Sequence, residues 1–197
     1  MQAMPKIVNN EIQMRAFPTE QSFEFWLNKN HSSVPGIWIR FFKKDSDKKT
    51  ITYTEAVDVA LCYGWIDSQL KKYDAESYIQ KFTPRGPKSI WSKINTERVA
   101  RLRTEKRMQP SGTAQVTAAK KDGRWDRAYE SSKNMTIPED FSNMLKKDKK
   151  AFAFFKTLNK ANIYAIAWRL HTAEKPETRS KREKSILAML HEGKSFH

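Results

Sequence analysis

The sequence predicts an α+β fold: a small, largely antiparallel sheet flanked by helices, with a helical C-terminal region. Three observations carry this. Ile37 to Phe42 (IWIRFF) is an aromatic and β-branched run that reads as a strand. Trp65 to Leu70 and Tyr78 to Thr83 flank a polar turn and read as a hairpin, which makes that part of the sheet antiparallel. Beyond Pro138 the apolar residues recur at helical spacing. A chain of 197 residues is one domain or one domain with a smaller appendage. We place an α+β domain over 1–130 and a helical region over 131–197, with 131–137 (SSKNMTI) as the linker.

The elements follow in order. Residues 1–16 read as a loose arm with at most one short strand. Thr19 is the expected N-cap of a first helix, which turns Phe23, Trp26 and Leu27 to one face. Pro35-Gly36 marks a turn before the IWIRFF strand. Thr52 and Glu55 have capping-box spacing, and Ala56, Val57, Ala60 and Leu61 point inward from the helix behind them. Gly64 suits a left-handed cap before the hairpin. The stretch 83–88 holds two prolines and a glycine and is a loop. Ser92 is the expected cap of a helix over 93–107 that carries Ile94, Val99 and Leu102 inward. Pro110 to Gly112 breaks it, and a further helix covers 113–121. Trp125 and Tyr129 are expected to dock on the core. Pro138, Glu139 and Asp140 then open the C-terminal helices. The last helix runs over 177–192, with Ile186, Met189 and Leu190 inward.

Charge is uneven. Residues 1–84 hold 11 Lys and Arg against 10 Asp and Glu, leaving 26 against 12 for residues 85–197, so +1 and +14 of the total +15. That field attracts anions such as nucleic acid or phosphorylated metabolites. No arginine-rich run or nucleic-acid motif accompanies it, so nucleic-acid binding through 85–184 is an alternative and a solvated surface the favoured reading. No run approaches the roughly 18 apolar residues of a membrane span. The N-terminus lacks the apolar segment of a secretory signal, and Cys62 is the sole cysteine. These features predict a cytoplasmic protein.

Cys62 lies near a helix end, where the dipole disfavours a thiolate, and reads as a buried structural thiol. The four histidines show no metal-ligand spacing, so no metal and no cofactor are expected. Asp67 follows Trp65-Ile66 and is the candidate acid or base, or else a carboxylate that bonds the turn. The richest constellation is the loop and helix start around Thr83, Arg85, Lys88, Ser89, Trp91, Ser92 and Asn95. Its cations, hydroxyls and free helix N–H groups suit a phosphate or carboxylate, and Trp91 offers a stacking face. The structural alternative makes Ser92 a cap, Trp91 a core anchor and Arg85 the partner of Asp67 or Glu76. Arg179 and Arg182 share a face of the last helix. They grip an anion or pair with acidic groups of the first domain, and interdomain pairing is the expectation.

Ala60 to Asp67, Phe82 to Arg85, Ser89 to Ser92 with Asn95, Gly123 to Trp125, and Pro176 to Arg179 with Arg182 together resemble the YdeI/OmpD-associated family of bacteriocin-protection proteins, over about 17–194. The resemblance implies a stress or defence association without an established reaction. A basic protein repels cationic peptides, so sequestration by charge does not fit. The leading expectation is a non-enzymatic binding protein for a small anionic ligand or a protein partner. The enzymatic alternative acts on a small anionic metabolite, with Asp67, Tyr78 and Arg85 converging in a pocket.

Overall fold

A computed structural model describes residues 12–131 and 133–197. Of the arm expected over 1–16, residues 1–11 fall outside them. The chain divides into two compact units. One comprises the residues up to Trp91 together with Asn95–Arg127; the other comprises Ser92–Ile94 together with Ala128–His197.

In the first unit a four-stranded sheet has the order β1-β2-β4-β3. Its strands are β1 (Met14–Arg15), β2 (Ile37–Phe42), β3 (Trp65–Lys72) and β4 (Ser77–Pro84). The β3–β4 hairpin and the β2–β4 pair are antiparallel, as expected; the short edge strand β1 is parallel to β2. Alternation fixes the two faces. Ile37, Ile39 and Phe41 of β2 are buried, while Trp38, Arg40 and Phe42 between them are half-exposed.

The buried face packs on α1 (Glu20–Asn30) and α2 (Tyr53–Cys62). Thr19 and Thr52 cap these helices, each closing a capping box. Phe23 of α1 meets Phe82 edge-on at 5.9 Å, and Trp26 meets Trp65 at 5.9 Å. Gly64 adopts φ +75°, the left-handed geometry that lets α2 turn directly into β3.

Helix α3 (Lys93–Thr104) buries Val99 and Leu102, but Ile94 is exposed rather than inward. It is clamped to α2 through the buried Asp58, which accepts from Arg98 at 2.8 Å and from Arg101. Helix α4 spans Pro110–Lys121. Pro110 therefore does not merely break the chain; it starts the helix, because proline at the first position lacks only an N–H that would have no partner. Gly112 is buried against the end of α2: a Cβ there would lie 2.1 Å from the Cys62 carbonyl oxygen.

The second unit is built of α5 (Glu139–Lys147), α6 (Lys149–Phe155), α7 (Lys160–His171) and α8 (Pro176–His191). Its core joins Phe141, Leu145, Ala151, Ile166, Leu170, Ile186 and Leu190. Tyr129, expected on the core of the first domain, packs edge-on against Trp168 of this unit at 6.1 Å. Asp148 caps α6 by accepting from the Ala151 N–H and also faces His191, and these bonds lower its carboxyl below the usual value. Among the described residues no helix is long and apolar enough to cross a membrane.

Candidate anion-binding sites

The proline-stiffened loop after β4 was the first candidate, and its arginine faces inward. Arg85 is 4% exposed. Its guanidinium lies 3.5 Å from the Trp91 ring centroid, and its Nη1 donates to the Ile90 carbonyl at 3.2 Å. Trp91 is itself buried and packs on Trp125 at 4.9 Å. The Ser89 hydroxyl accepts from the Gly86 N–H, and the Ser89 carbonyl accepts from Arg124, itself buried and paired with Asp122. Arg85, Ser89, Ile90 and Trp91 thus join Arg124 and Trp125 in one knot, which fits the core-anchor alternative for Trp91. Stacking and a peptide carbonyl draw Arg85 into the interior.

Thr83 is half-buried in β4 opposite Ile66, and Lys88 is exposed. Ser92 belongs to the second compact unit, where it bridges to Tyr129. The Lys93 N–H at the start of α3 already donates to the Tyr129 carbonyl at 2.9 Å. Asn95 is half-buried in the first turn of α3.

Asp67 accepts from the Tyr53 hydroxyl at 2.8 Å and from the Gln80 amide at 3.4 Å. Tyr53 and Tyr78 line a cleft of about 740 Å3 with Lys43, Lys44, Lys48 and Lys49 at its rim. Burial raises the Tyr78 phenol above its ordinary value. Asp67 and Tyr78 therefore gather with Tyr53 near this cleft, whereas Arg85 is held at Trp91. Cys62 is buried, and desolvation pushes its thiol up to about 12, which keeps it neutral.

In the second unit the two expected arginines take different roles. Arg179 donates from Nη2 to both Asp140 carboxylate oxygens at 2.8 Å and from Nε to Glu183 at 2.5 Å. Its partners lie in its own unit, which replaces the interdomain pairing that was expected. Arg182 instead donates from Nη1 to the Arg169 carbonyl at 2.6 Å and to Thr172 at 3.1 Å. Arg169 stacks on Phe196 at 3.8 Å and donates to the Ala165 carbonyl. Neither Arg169 nor Arg182 meets a carboxylate among the described residues. Both line a niche of about 270 Å3 whose other walls are Trp168, Ser185, Ile186 and Phe196. Sequence reasoning found Arg182 but missed Arg169. The available signal was a lone arginine beside Trp168 in the last turn of a largely apolar helix.

Two family models match the chain. Residues 15–115, just over half of it, match the family described as Domain of unknown function (DUF8412). The chain belongs to that family. Residues 134–193 match the family described as Bacteriocin-protection, YdeI or OmpD-Associated, in agreement with the expected resemblance but over the C-terminal segment only. Arg169 and Arg182 both fall within that match, and the sheet from Arg15 onward falls within the other. No curated protein and no solved structure matches the chain.

Proposed function

We propose that this is a binding protein in which the helical C-terminal unit holds a small oxyanion, a carboxylate or phosphate borne on an apolar body, between Arg169 and Arg182. One observation carries the reading: two half-buried guanidinium groups share a niche with aromatic walls and, among the described residues, no carboxylate to neutralise them. A guanidinium fork matches a carboxylate or phosphate in plane and charge, and partial burial strengthens the contact. Trp168, Ile186 and Phe196 suit the apolar part of such a ligand. The bacteriocin-protection description belongs to the matched family. A role of that kind here would act through the bound ligand, since a protein of net charge +15 repels cationic peptides.

Thermal unfolding at constant ionic strength tests this, with inorganic phosphate and benzoate as probes. Wild type should gain stability that rises with the logarithm of probe concentration above Kd, about 2.7 kcal/mol at a hundredfold excess. Arg182→Gln and Arg169→Gln should remove the gain, and Arg182→Lys should keep part of it. A melting temperature indifferent to both probes in wild type would end the proposal.

A second reading rests on the Tyr53–Asp67 hydrogen bond beside the lysine-rimmed cleft. There Asp67 takes the phenol proton of Tyr53 as the Tyr53 oxygen accepts a proton from an anionic metabolite, in a cytoplasmic enzyme. It requires turnover of a phosphorylated or carboxylated metabolite that Tyr53→Phe and Asp67→Asn both abolish; turnover unchanged in both variants rules it out.

A further inference from the structure

The sheet has a second face that the alternation leaves half-exposed. Register places Trp38 beside Lys81, Arg40 beside Ile79, and Lys71 beside Ile79 from the other side. Phe42 ends the same row, Met14 flanks Trp38 from β1, and Tyr73 follows β3 in the turn. The cations sit on the rings. Lys71 and Lys81 approach the Trp38 centroid to 5.0 and 5.9 Å. Arg40 lies 4.4 Å from Phe42 and 4.7 Å from Tyr73, and Lys48 lies 5.1 Å from Phe42. Asp74 and Glu76 pair with Arg40 and Lys48, but Lys71 and Lys81 meet no carboxylate among the described residues.

We propose that this face binds single-stranded nucleic acid, with bases stacking on Trp38, Phe42 and Tyr73 and phosphates passing Lys71 and Lys81. Half-exposed aromatic rings interleaved with cations provide the two contacts a single strand offers: unstacked base faces and regularly spaced charge. Trp38 and Phe42 are four residues apart on β2, about 13 Å at the usual rise per residue, which separates two stacked bases by an intervening nucleotide. A duplex keeps its base faces to itself and gains only the charge term. The sequence had placed any nucleic-acid binding on the basic stretch 85–184; the interleaving lies instead on 38–81, where net charge is small and the spacing of rings and cations supplies the specificity for a strand. This site is independent of the Arg169–Arg182 niche.

Fluorescence anisotropy with labelled oligo(dT) and oligo(rU) of fifteen nucleotides, and with a duplex of equal length, tests it across a salt series. The single strands should bind more tightly than the duplex and quench tryptophan emission. Trp38→Ala should weaken binding about tenfold or more, by loss of one stacked base. Trp38→Leu, which keeps an apolar side chain that suits a strand, should weaken it likewise if the alanine variant fails to fold. Each of Lys71→Ala and Lys81→Ala should lower the slope of log K against log salt by about 0.7. Arg182→Gln should leave binding unchanged, which separates this site from the niche. Equal affinity for duplex and single strand, or full binding by a folded Trp38 variant, would overturn the proposal. So would displacement of the chain from oligonucleotide by an acidic peptide at matched charge, which would identify a protein partner instead.

Discussion

Cys62 and the arginines show how surroundings decide what a side chain can do. The Cys62 thiol, raised from an ordinary 9.0 to about 12 by burial, is a packing group. Because the folded value lies above the unfolded one, its contribution to stability is complete below pH 9 and is lost as pH rises toward 12. The native protein should therefore resist a disulfide thiol reagent at pH 8 and react stoichiometrically once unfolded; rapid reaction in the native state contradicts burial. Arg85 is likewise interior. Replacing it with lysine keeps the charge but loses the plane stacked on Trp91, at a cost of about 2 kcal/mol in denaturant unfolding. An unchanged midpoint would mean that the knot does not hold the loop. Residue identity marked Arg85, Trp91 and Arg182 as notable. It could not say which arginine faces a partner already in place, because that depends on Trp125, Arg169 and Phe196, which approach only in three dimensions.

At the scale of elements, local signals were readable wherever they were self-contained. The N-cap at Thr19, the capping box at Thr52, the Gly64 turn and the hairpin are each set within one short stretch of chain, and the structure has them where the spacing put them. What escaped was set by packing between elements. Ile94 is exposed because the first turn of α3 is held through its backbone and Lys93, not through an apolar face. Pro110 and Gly112 read as a break, yet they let α4 begin against the end of α2. Gly112→Ala would drive a methyl group into the Cys62 carbonyl and should destabilise the fold by about 1–3 kcal/mol or more, measured by urea unfolding. Asp58→Asn removes the anion that gathers Arg98 and Arg101. Its expected cost is about 2–3 kcal/mol, less than for a fully buried pair because Arg101 is half-exposed. A loss under 0.5 kcal/mol would show that the clamp is only a surface ion pair.

Across the whole molecule, the division into two compact units coincides with a division of likeness: one family model over 15–115 and another over 134–193. The charge excess does not by itself locate a ligand. In the first unit the arginines at Asp58, Asp122 and Trp91 are engaged, whereas Arg169 and Arg182 in the second line a niche. The most direct measurement follows the arginine Nε–H signals by NMR while inorganic phosphate is added at constant ionic strength. The Arg169 and Arg182 signals should move together along one saturating curve while Arg85 and Arg124 stay fixed. Stationary Arg169 and Arg182 signals, or movement of Arg85 in their place, would contradict an open niche in the helical unit and a closed loop in the other.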